Sequence, residues 1–279
     1  MRDRASGPSA AVSEARSLLT ADGVVVSAVR LERQGQLNEP ASRDLAIVIA
    51  HGFTGSWAKP SVRRAARAFA ADGGVVVPDL RGHGASGGAS TLGDREIHDV
   101  AAAVAWARLL GYRSVATVGF SMGSSVVVRH AALIGGTDAV VAVSGPARWY
   151  YRGTQRMRQV HRLVERRGGR TLARVALKTR LGRDDWVEVP EEPRAVIARI
   201  APVPVLVVHG DEDAYFPVEH GEQLAAASEG HSELWIEPGF GHAEAAASAE
   251  LLSRIGDWIR AAVGLAPVPL EPGGQPDPH

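Results

Sequence analysis

Three kinds of side chain in this sequence could do nucleophilic chemistry together: Ser121, an acid from the run Asp211-Glu212-Asp213, and His242. Ser121 stands in Gly119-Phe120-Ser121-Met122-Gly123. The run Ser114–Val118 before it reads as a strand, and Ser124–Leu133 after it reads as a helix. A Gly-x-Ser-x-Gly between strand and helix is a nucleophile elbow. The turn is too tight for side chains at the flanking glycines, and the serine is held strained with its hydroxyl clear of the fold. Five residues rich in Gly and Ser also recur by chance as plain turns, so the reading depends on what else the chain supplies.

A serine that attacks a carbonyl needs two backbone N–H groups aimed at the developing oxyanion. One comes from the residue after the nucleophile, here Met122. The other comes from a loop after an earlier strand. Leu45–Ala50 is an apolar strand-like run that ends in His51-Gly52-Phe53-Thr54-Gly55, which makes Phe53 the candidate. The glycines at 52 and 55 let that loop approach a substrate. The same segment reads equally as a strand-ending turn with His51 hydrogen-bonded inside it. The two readings are compatible, because the donor is the backbone and not the imidazole.

The acid must sit at a strand's carboxyl end, where it accepts a hydrogen bond from an imidazole and fixes its tautomer. Val203–His209 is a near-continuous apolar run that opens into Gly210-Asp211-Glu212-Asp213. Spacing does not choose among the three acids, and a solvated acidic turn is the plain alternative. The base follows the acid in the order that accompanies an elbow. Of ten histidines, four follow the acid run: His220, His231, His242 and His279. His220 falls in a helix-like segment, His231 at a strand's start and His279 in the terminal segment. His242 alone lies on a glycine-rich loop, Pro238-Gly239-Phe240-Gly241-His242, after the strand-like Glu233–Glu237 and before an alanine-rich helix.

With these segments in this order, the chain resembles the α/β-hydrolase family over roughly residues 15–265. Asp79-Leu80-Arg81-Gly82-His83-Gly84-Ala85-Ser86 is similar to a structural turn of that family. The resemblance implies that the second aspartate of His209-Gly210-Asp211-Glu212-Asp213 is the triad acid, namely Asp213, and that Asp211 ties the turn. His51-Gly52-Phe53-Thr54-Gly55 is similar to cinnamoyl-esterase-like and other carboxylesterase sequences. The branch it resembles holds small bacterial esterases, lipases and serine aminopeptidases. Phe120 departs from the histidine that many relatives carry there, at a position that does no chemistry.

The order of elements predicts a doubly wound, mostly parallel, eight-stranded sheet. Arg16–Thr20 and Val24–Arg30 read as a hairpin around Ala21-Asp22-Gly23. Strands at Leu45–Ala50, Val75–Val77, Ser114–Val118 and Ala139–Val143 alternate with helices near Ser61–Ala71 and Asp94–Leu110 and with the elbow helix. Such alternation implies parallel pairing by right-handed crossovers, with ligands beyond the strands' carboxyl ends. The expected organisation is a disordered N-terminus over 1–15, a core of 16–145 and 200–265, a helical cap over 146–199 and a Pro/Gly-rich disordered tail over 266–279.

The expected cap is the least ordinary stretch. Residues 146–183 hold 12 Arg or Lys and one acid, Glu165. Gln155–Arg167 reads as a helix with Met157, Val160 and Val164 on one stripe, stopped by Gly168-Gly169. Thr171–Leu181 reads as a second, with Leu172 and Val175 inward and Gly182 at its end. The arginines read either as a solvated outer face or as a cationic entrance for an anionic substrate, an acyl carrier or a lipid surface. Trp149, Tyr150 and Tyr151 would wall an acyl or aryl pocket, or pack as the cap's hinge.

Composition narrows the partners. The chain has 279 residues, 45% of them hydrophobic, enough for one large core. Its 31 basic and 31 acidic residues balance, so nothing global points to nucleic acid. It has no cysteine, which excludes disulfides, thiol catalysis and thiolate metal sites. No apolar run reaches the length of a membrane span, and the polar first 15 residues lack a signal-peptide core, which makes cytoplasm the expected location. The expected activity is hydrolysis of a small ester or acyl substrate, with no metal or organic cofactor. The same triad serves thioesters, amides or acyl transfer, and a hydrolase fold can also persist as a non-catalytic ligand-binding protein.

Overall fold

The computed structural model describes residues 12–33, 43–182, 186 and 188–267. Its sheet is assembled from β1 (Val12–Leu19), β2 (Val25–Leu31), β3 (Leu45–Ala50), β4 (Gly74–Pro78), β5 (Ser114–Phe120), β6 (Ala139–Val143), β7 (Val205–Gly210) and β8 (Ser232–Glu237). The spatial order is β1-β2-β4-β3-β5-β6-β7-β8. β2 runs antiparallel to both β1 and β4, and every other pair is parallel. Parallel strands buried on both faces must be apolar almost throughout. Leu-Ala-Ile-Val-Ile-Ala of β3 is buried at all six positions.

The helices cover the two faces. α1 (Pro60–Phe69), α8 (Ala243–Ala246) and α9 (Ala249–Ala262) lie on one side. Val62, Phe69, Leu252, Ile255 and Ile259 there pack against Leu45, Ile47 and Ile49 of β3. α2 (Ile97–Leu109), α3 (Met122–Leu133), α6 (Pro193–Val196) and α7 (Glu219–Ala227) lie on the other. Val100, Trp106, Val127, Val196 and Leu224 there meet Ala46, Val48 and Ala50. The period-2 alternation of one strand thus feeds both cores.

Register decides what the edge of the sheet brings together. Ala50 of β3 pairs with Gly119 of β5. The loop at 51–55 therefore leaves the sheet beside the turn that carries Ser121. Gly210 of β7 pairs with Glu237 of β8. The loops that carry Asp213 and His242 leave side by side as well.

Between β6 and β7 the chain makes an excursion that holds α4 (Gln155–Glu165), α5 (Arg167–Ala176) and α6. Here several expectations need correction. Gly168 and Gly169 do not stop α4, because Arg166 already ends it with an extended ψ of 136°. They lie in the first turn of α5, where a Cβ on Gly169 would come within 2.2 Å of the Leu163 carbonyl oxygen. Close approach to α4 requires the glycine. α5 ends at Ala176, short of Leu181, because Lys178 takes a positive φ of 52°. The chain beyond forms bridges from Thr179 to His83 and from Leu181 to Ser90. Leu172 and Val175 are not inward. They are 56% and 75% exposed, while Ala173 is buried. The helix docks by its small residues, not its large ones.

At the N-terminus, β1 begins at Val12 and takes in residues 12–15, which the sequence assigned to a disordered segment. Residues 1–11 and 268–279, where the remaining terminal disorder was expected, lie outside the described residues. No helix among the described residues is long and apolar enough to cross a membrane.

Candidate active site

Ser121 sits between β5 and α3 with φ 52° and ψ −116°. Such a backbone state costs about 1–3 kcal/mol in a residue other than glycine and persists only where the surroundings enforce it. They do so by contact. A Cβ at position 119 would lie 2.2 Å from the Gly123 carbonyl oxygen, and one at 123 would lie 2.0 Å from that of Ala50. Only glycine fits at either flank. Phe120, the departure from the family pattern, is fully buried under the sheet.

The Ser121 hydroxyl lies 2.9 Å from His242 Nε2, and His242 Nδ1 lies 2.8 Å from Asp213 Oδ2. One neutral tautomer satisfies both contacts: Nδ1–H donates to Asp213, and Nε2 accepts from Ser121. The Asp213 carboxylate is itself fixed. Its other oxygen accepts the N–H groups of Tyr215 (2.8 Å) and Phe216 (3.0 Å). Asp211 is engaged elsewhere, accepting the Gly239 N–H at 2.7 Å. The structure therefore brings together Ser121, His242 and Asp213 and leaves Asp211 as a brace between two loops.

Supports for His242 come from residues that the sequence did not single out. The Ser144 hydroxyl at the end of β6 accepts the Ala243 N–H at 3.0 Å. The Tyr215 ring stacks on the imidazole with centroids 4.2 Å apart. Arg64 of α1 donates to the carbonyls of Glu244 (2.7 Å) and Ala245 (3.1 Å). None of these side chains has a signature spacing; each matters through where the fold delivers it.

The loop at 51–55 is braced by two buried histidines. His51 Nδ1–H donates to the Gly52 carbonyl at 2.8 Å, and its Nε2 accepts the Leu80 N–H at 3.0 Å. His83 Nδ1–H donates to the Arg81 carbonyl, and its Nε2 accepts the Thr54 N–H at 3.2 Å. Both bond sets require neutral rings. Burial pushes the His51 imidazole down to about 3 and His83 down as well. Phe53 follows directly, partly buried against the core. Met122 holds the first position of α3, where a helix leaves its N–H without an intrahelical acceptor.

Glu244 was also missed. Its carboxyl stands beside the Gly52 backbone, and burial pushes it above the usual carboxylate range. A Cβ on Gly52 would meet Ser121 Cβ at 3.3 Å and Glu244 Oε2 at 3.6 Å. The carboxyl thus stands beside the serine, behind the loop that carries Phe53. The only hint in the sequence is one acid inside an alanine-rich run.

A cavity of about 820 Å³ opens over Ser121 and His242. Phe53, Met122, Trp149, Tyr150 and Tyr151 all line it, so the candidate donors and the three aromatics reach the same space. α4 contributes Met157, Val160, Leu163 and Val164. The aromatics pack among themselves too. Trp149 lies 5.3 Å from Trp186, and Tyr151 meets His220 at 4.5 Å. Trp149 Nε1–H donates to the Pro190 carbonyl at 2.7 Å. Thr154 caps α4 and donates to the Tyr215 carbonyl at 2.8 Å, which ties the excursion to the Asp213 loop. Arg156, Arg158 and Arg162 are exposed and are not among the lining residues; Arg148 and Arg170 are.

Comparison with known proteins agrees with this architecture. Residues 46–148 match the family model described as the alpha/beta hydrolase fold. No curated protein gives a significant match. Among solved structures the chain is similar to an esterase of Pyrococcus furiosus, at 23% identity over 90% of this chain and 91% of that one, with a TM-score of 0.70. It is similar to a hypothetical protein of Pseudomonas aeruginosa, at 21% identity over 92% and 96%, with a TM-score of 0.66. It is also similar to a serine hydrolase without lid from Xanthomonas campestris, at 20% identity over 90% and 93%, with a TM-score of 0.58. The chain has the α/β-hydrolase fold.

Proposed function

We propose that this α/β-hydrolase-fold chain is a serine hydrolase that cleaves carboxylic esters through an acyl-enzyme. The observation that carries the reading is the unbroken relay from Ser121 Oγ through His242 to Asp213 at the floor of an apolar cavity. Ser121 Oγ attacks the ester carbonyl while His242 Nε2 takes its proton. The carbonyl oxygen becomes an oxyanion, received by the N–H groups of Phe53 and Met122. The intermediate collapses, and His242 returns the proton to the departing alcohol. Water enters, gives a proton to His242 and attacks the Ser121-bound acyl carbon; the C–Oγ bond then breaks, His242 returns the proton to Ser121 Oγ, and the acid is released. Asp213 holds Nδ1–H and stabilises the imidazolium in both halves. No step calls on a metal or an organic cofactor.

The excursion over the cavity acts as a lid in this reading, and its walls favour the substrate's apolar part. A cavity of about 820 Å³ lies in the upper range of small-molecule sites. Trp149, Tyr150, Tyr151 and the inner side of α4 are the surfaces against which an acyl chain or aryl group would be desolvated.

A panel of p-nitrophenyl esters from acetate to palmitate, run beside aryl esters and acyl-thioesters, tests the proposal. The expected result is ester hydrolysis with an optimum beyond the shortest chains. Efficient turnover of thioesters with poor turnover of oxygen esters would move the protein to the thioesterases. A folded protein inert to the whole panel would remove the hydrolase reading.

A further inference from the structure

The outer face of α4 and α5 has features that the relay does not explain. A surface helix ordinarily turns its large apolar side chains inward and its small or polar ones outward. α5 does the reverse. Ala173 is buried, while Leu172 and Val175 stand 56% and 75% exposed. They are three residues apart on one helix and therefore neighbours on its surface. Neither lines the cavity, so neither serves the substrate pocket.

The unpaired exposed charge on these two helices and their flanks has one sign. Arg156, Arg158 and Arg162 of α4, Arg166 between the helices, Arg174 of α5 and Lys178 after it are all exposed. Among the described residues none of the six makes an ion pair. The one acid of residues 146–182, Glu165, is already taken by Arg152 and His161. Exposed aliphatics among unneutralised arginines are the chemistry of a helix that lies in a lipid headgroup region. There the aliphatics reach the acyl boundary, and the cations stay with phosphate groups. A water-facing lid has no use for Leu172 and Val175, and an anionic small substrate has none for arginines outside the cavity.

We propose that the outer face of α4 and α5 docks on an anionic phospholipid surface, with Leu172 and Val175 inserted and the surrounding arginines on the headgroups. The occupant is a lipid surface because the patch pairs basic charge with exposed aliphatics, where an acidic protein groove would need the charge alone. Docking would set the lid, whose inner side lines the cavity, at the boundary where apolar esters reside. The binding itself does not depend on the ester chemistry proposed above.

Flotation of the full chain with vesicles separates the outcomes. One set is phosphatidylcholine alone; the other contains about one third phosphatidylglycerol. The expected result is binding to the anionic vesicles, weak binding to the neutral ones and loss of most binding at 1 M salt, where the Debye length is about 3 Å. L172D/V175D and R156E/R162E should each reduce partition by about tenfold or more. Both pairs are exposed, and an unchanged thermal melt and unchanged hydrolysis of p-nitrophenyl acetate would show that the fold is intact. L172S/V175S is the milder substitute if the aspartates disturb α5. Ser121→Ala should bind as wild type does, so failure of the hydrolase reading would leave this result standing. Absence of binding to anionic vesicles would overturn the proposal, as would binding that neither variant alters. Capture of polyglutamate in place of vesicles would overturn it in favour of an acidic protein.

Discussion

At the carboxyl edge of the sheet, several buried side chains are committed to backbone groups. His51 holds the Leu80 N–H, His83 that of Thr54, Asp213 those of Tyr215 and Phe216, and Ser144 that of Ala243. In the lid the situation is opposite. Arginines face solvent, large aliphatics are exposed, and α5 is seated by Gly169 and Ala173. Moving one of these side chains would strand a buried backbone donor, and an unmet buried group costs about 1–3 kcal/mol. The lid carries few such constraints. The contrast teaches where precision is stored. Ser121, His242 and Asp213 are aligned by the sheet's loops, while the excursion between β6 and β7 supplies volume, apolar wall and outer charge.

Substitutions at the edge should therefore cost orders of magnitude, and those on the lid's outer face little. The largest effect belongs to Ser121→Ala, which should lower kcat by about 10⁶-fold while the melting temperature stays the same or rises. A residual rate within tenfold of wild type would place the nucleophile elsewhere. Next comes Asp213→Asn, with a loss of about 10⁴-fold from the wrong imidazole tautomer. Asp211→Asn should act through loop stability alone. If Asp211→Asn proves the more damaging at equal folded fraction, the two acids have been assigned in the wrong order.

Acid should attack the edge before it attacks the lid. Burial takes His51 to about 3 and His130 to about 4, and lowers His83 and His209. In the unfolded chain these rings bind protons near pH 6.5. Between pH 6.5 and the folded values the unfolded state holds more protons, so stability falls as pH falls, by about 1.4 kcal/mol per unit for each ring. His220 is lowered in the same way, to about 4, while Asp72 and Asp99, raised by burial to about 6, and Asp79 and Glu244, raised as well, oppose this at lower pH, so the fall is steepest above about pH 6. Urea midpoints measured at pH 7, 6.5 and 6 should decline, before the raised acids begin to oppose the histidines. A flat or rising series would mean that the rings are not held neutral.

A smaller loss is expected at Glu244. Replacement by Ala should lower kcat by about tenfold with little change in KM, because the Gly52 loop loses the carboxyl that backs it and the Phe53 N–H drifts from the oxyanion. Replacement by Gln keeps an acceptor and should restore most of the rate. Equal, unimpaired rates in both variants would reduce Glu244 to a packing residue. The smallest effect is charge reversal of Arg156, Arg158 and Arg162 together. Because they lie outside the cavity, kcat/KM for an acidic and a neutral soluble ester of equal length should change alike, by about twofold or less. A selective loss for the acidic ester would restore the reading of these arginines as a substrate entrance.

The same contrast governs what could be read from the sequence. Gly119, Ser121 and Gly123 were legible because only those residue types satisfy the backbone of a tight turn. His242 was legible because it alone combined a glycine-rich loop with a strand's carboxyl end. The apolar strands were legible because a parallel sheet buried on both faces tolerates little else. Asp213 was not separable from Asp211 and Glu212 by spacing, since hydrogen bonds made in three dimensions distinguish them. Glu244, Ser144 and Tyr215 carry no local signal, as each acts on a residue that the order of the strands brings near, the loop after β3 for Glu244 and the loop after β8 for the other two. The lid misled because helix periodicity rewards large aliphatics, whereas α5 packs through glycine and alanine. Gly168-Gly169 read as a stop for the same reason: a glycine needed for close packing looks, in sequence, like one needed to end a helix.

The central claim is that Ser121 is an activated nucleophile, and covalent capture tests it most directly. Native protein treated with a fluorophosphonate probe, digested and mapped by mass spectrometry, should carry one stoichiometric adduct on the peptide that contains Ser121. Labelling should disappear in Ser121→Ala. An adduct on a different residue, or a folded wild-type protein that the probe leaves unmodified, would contradict the account.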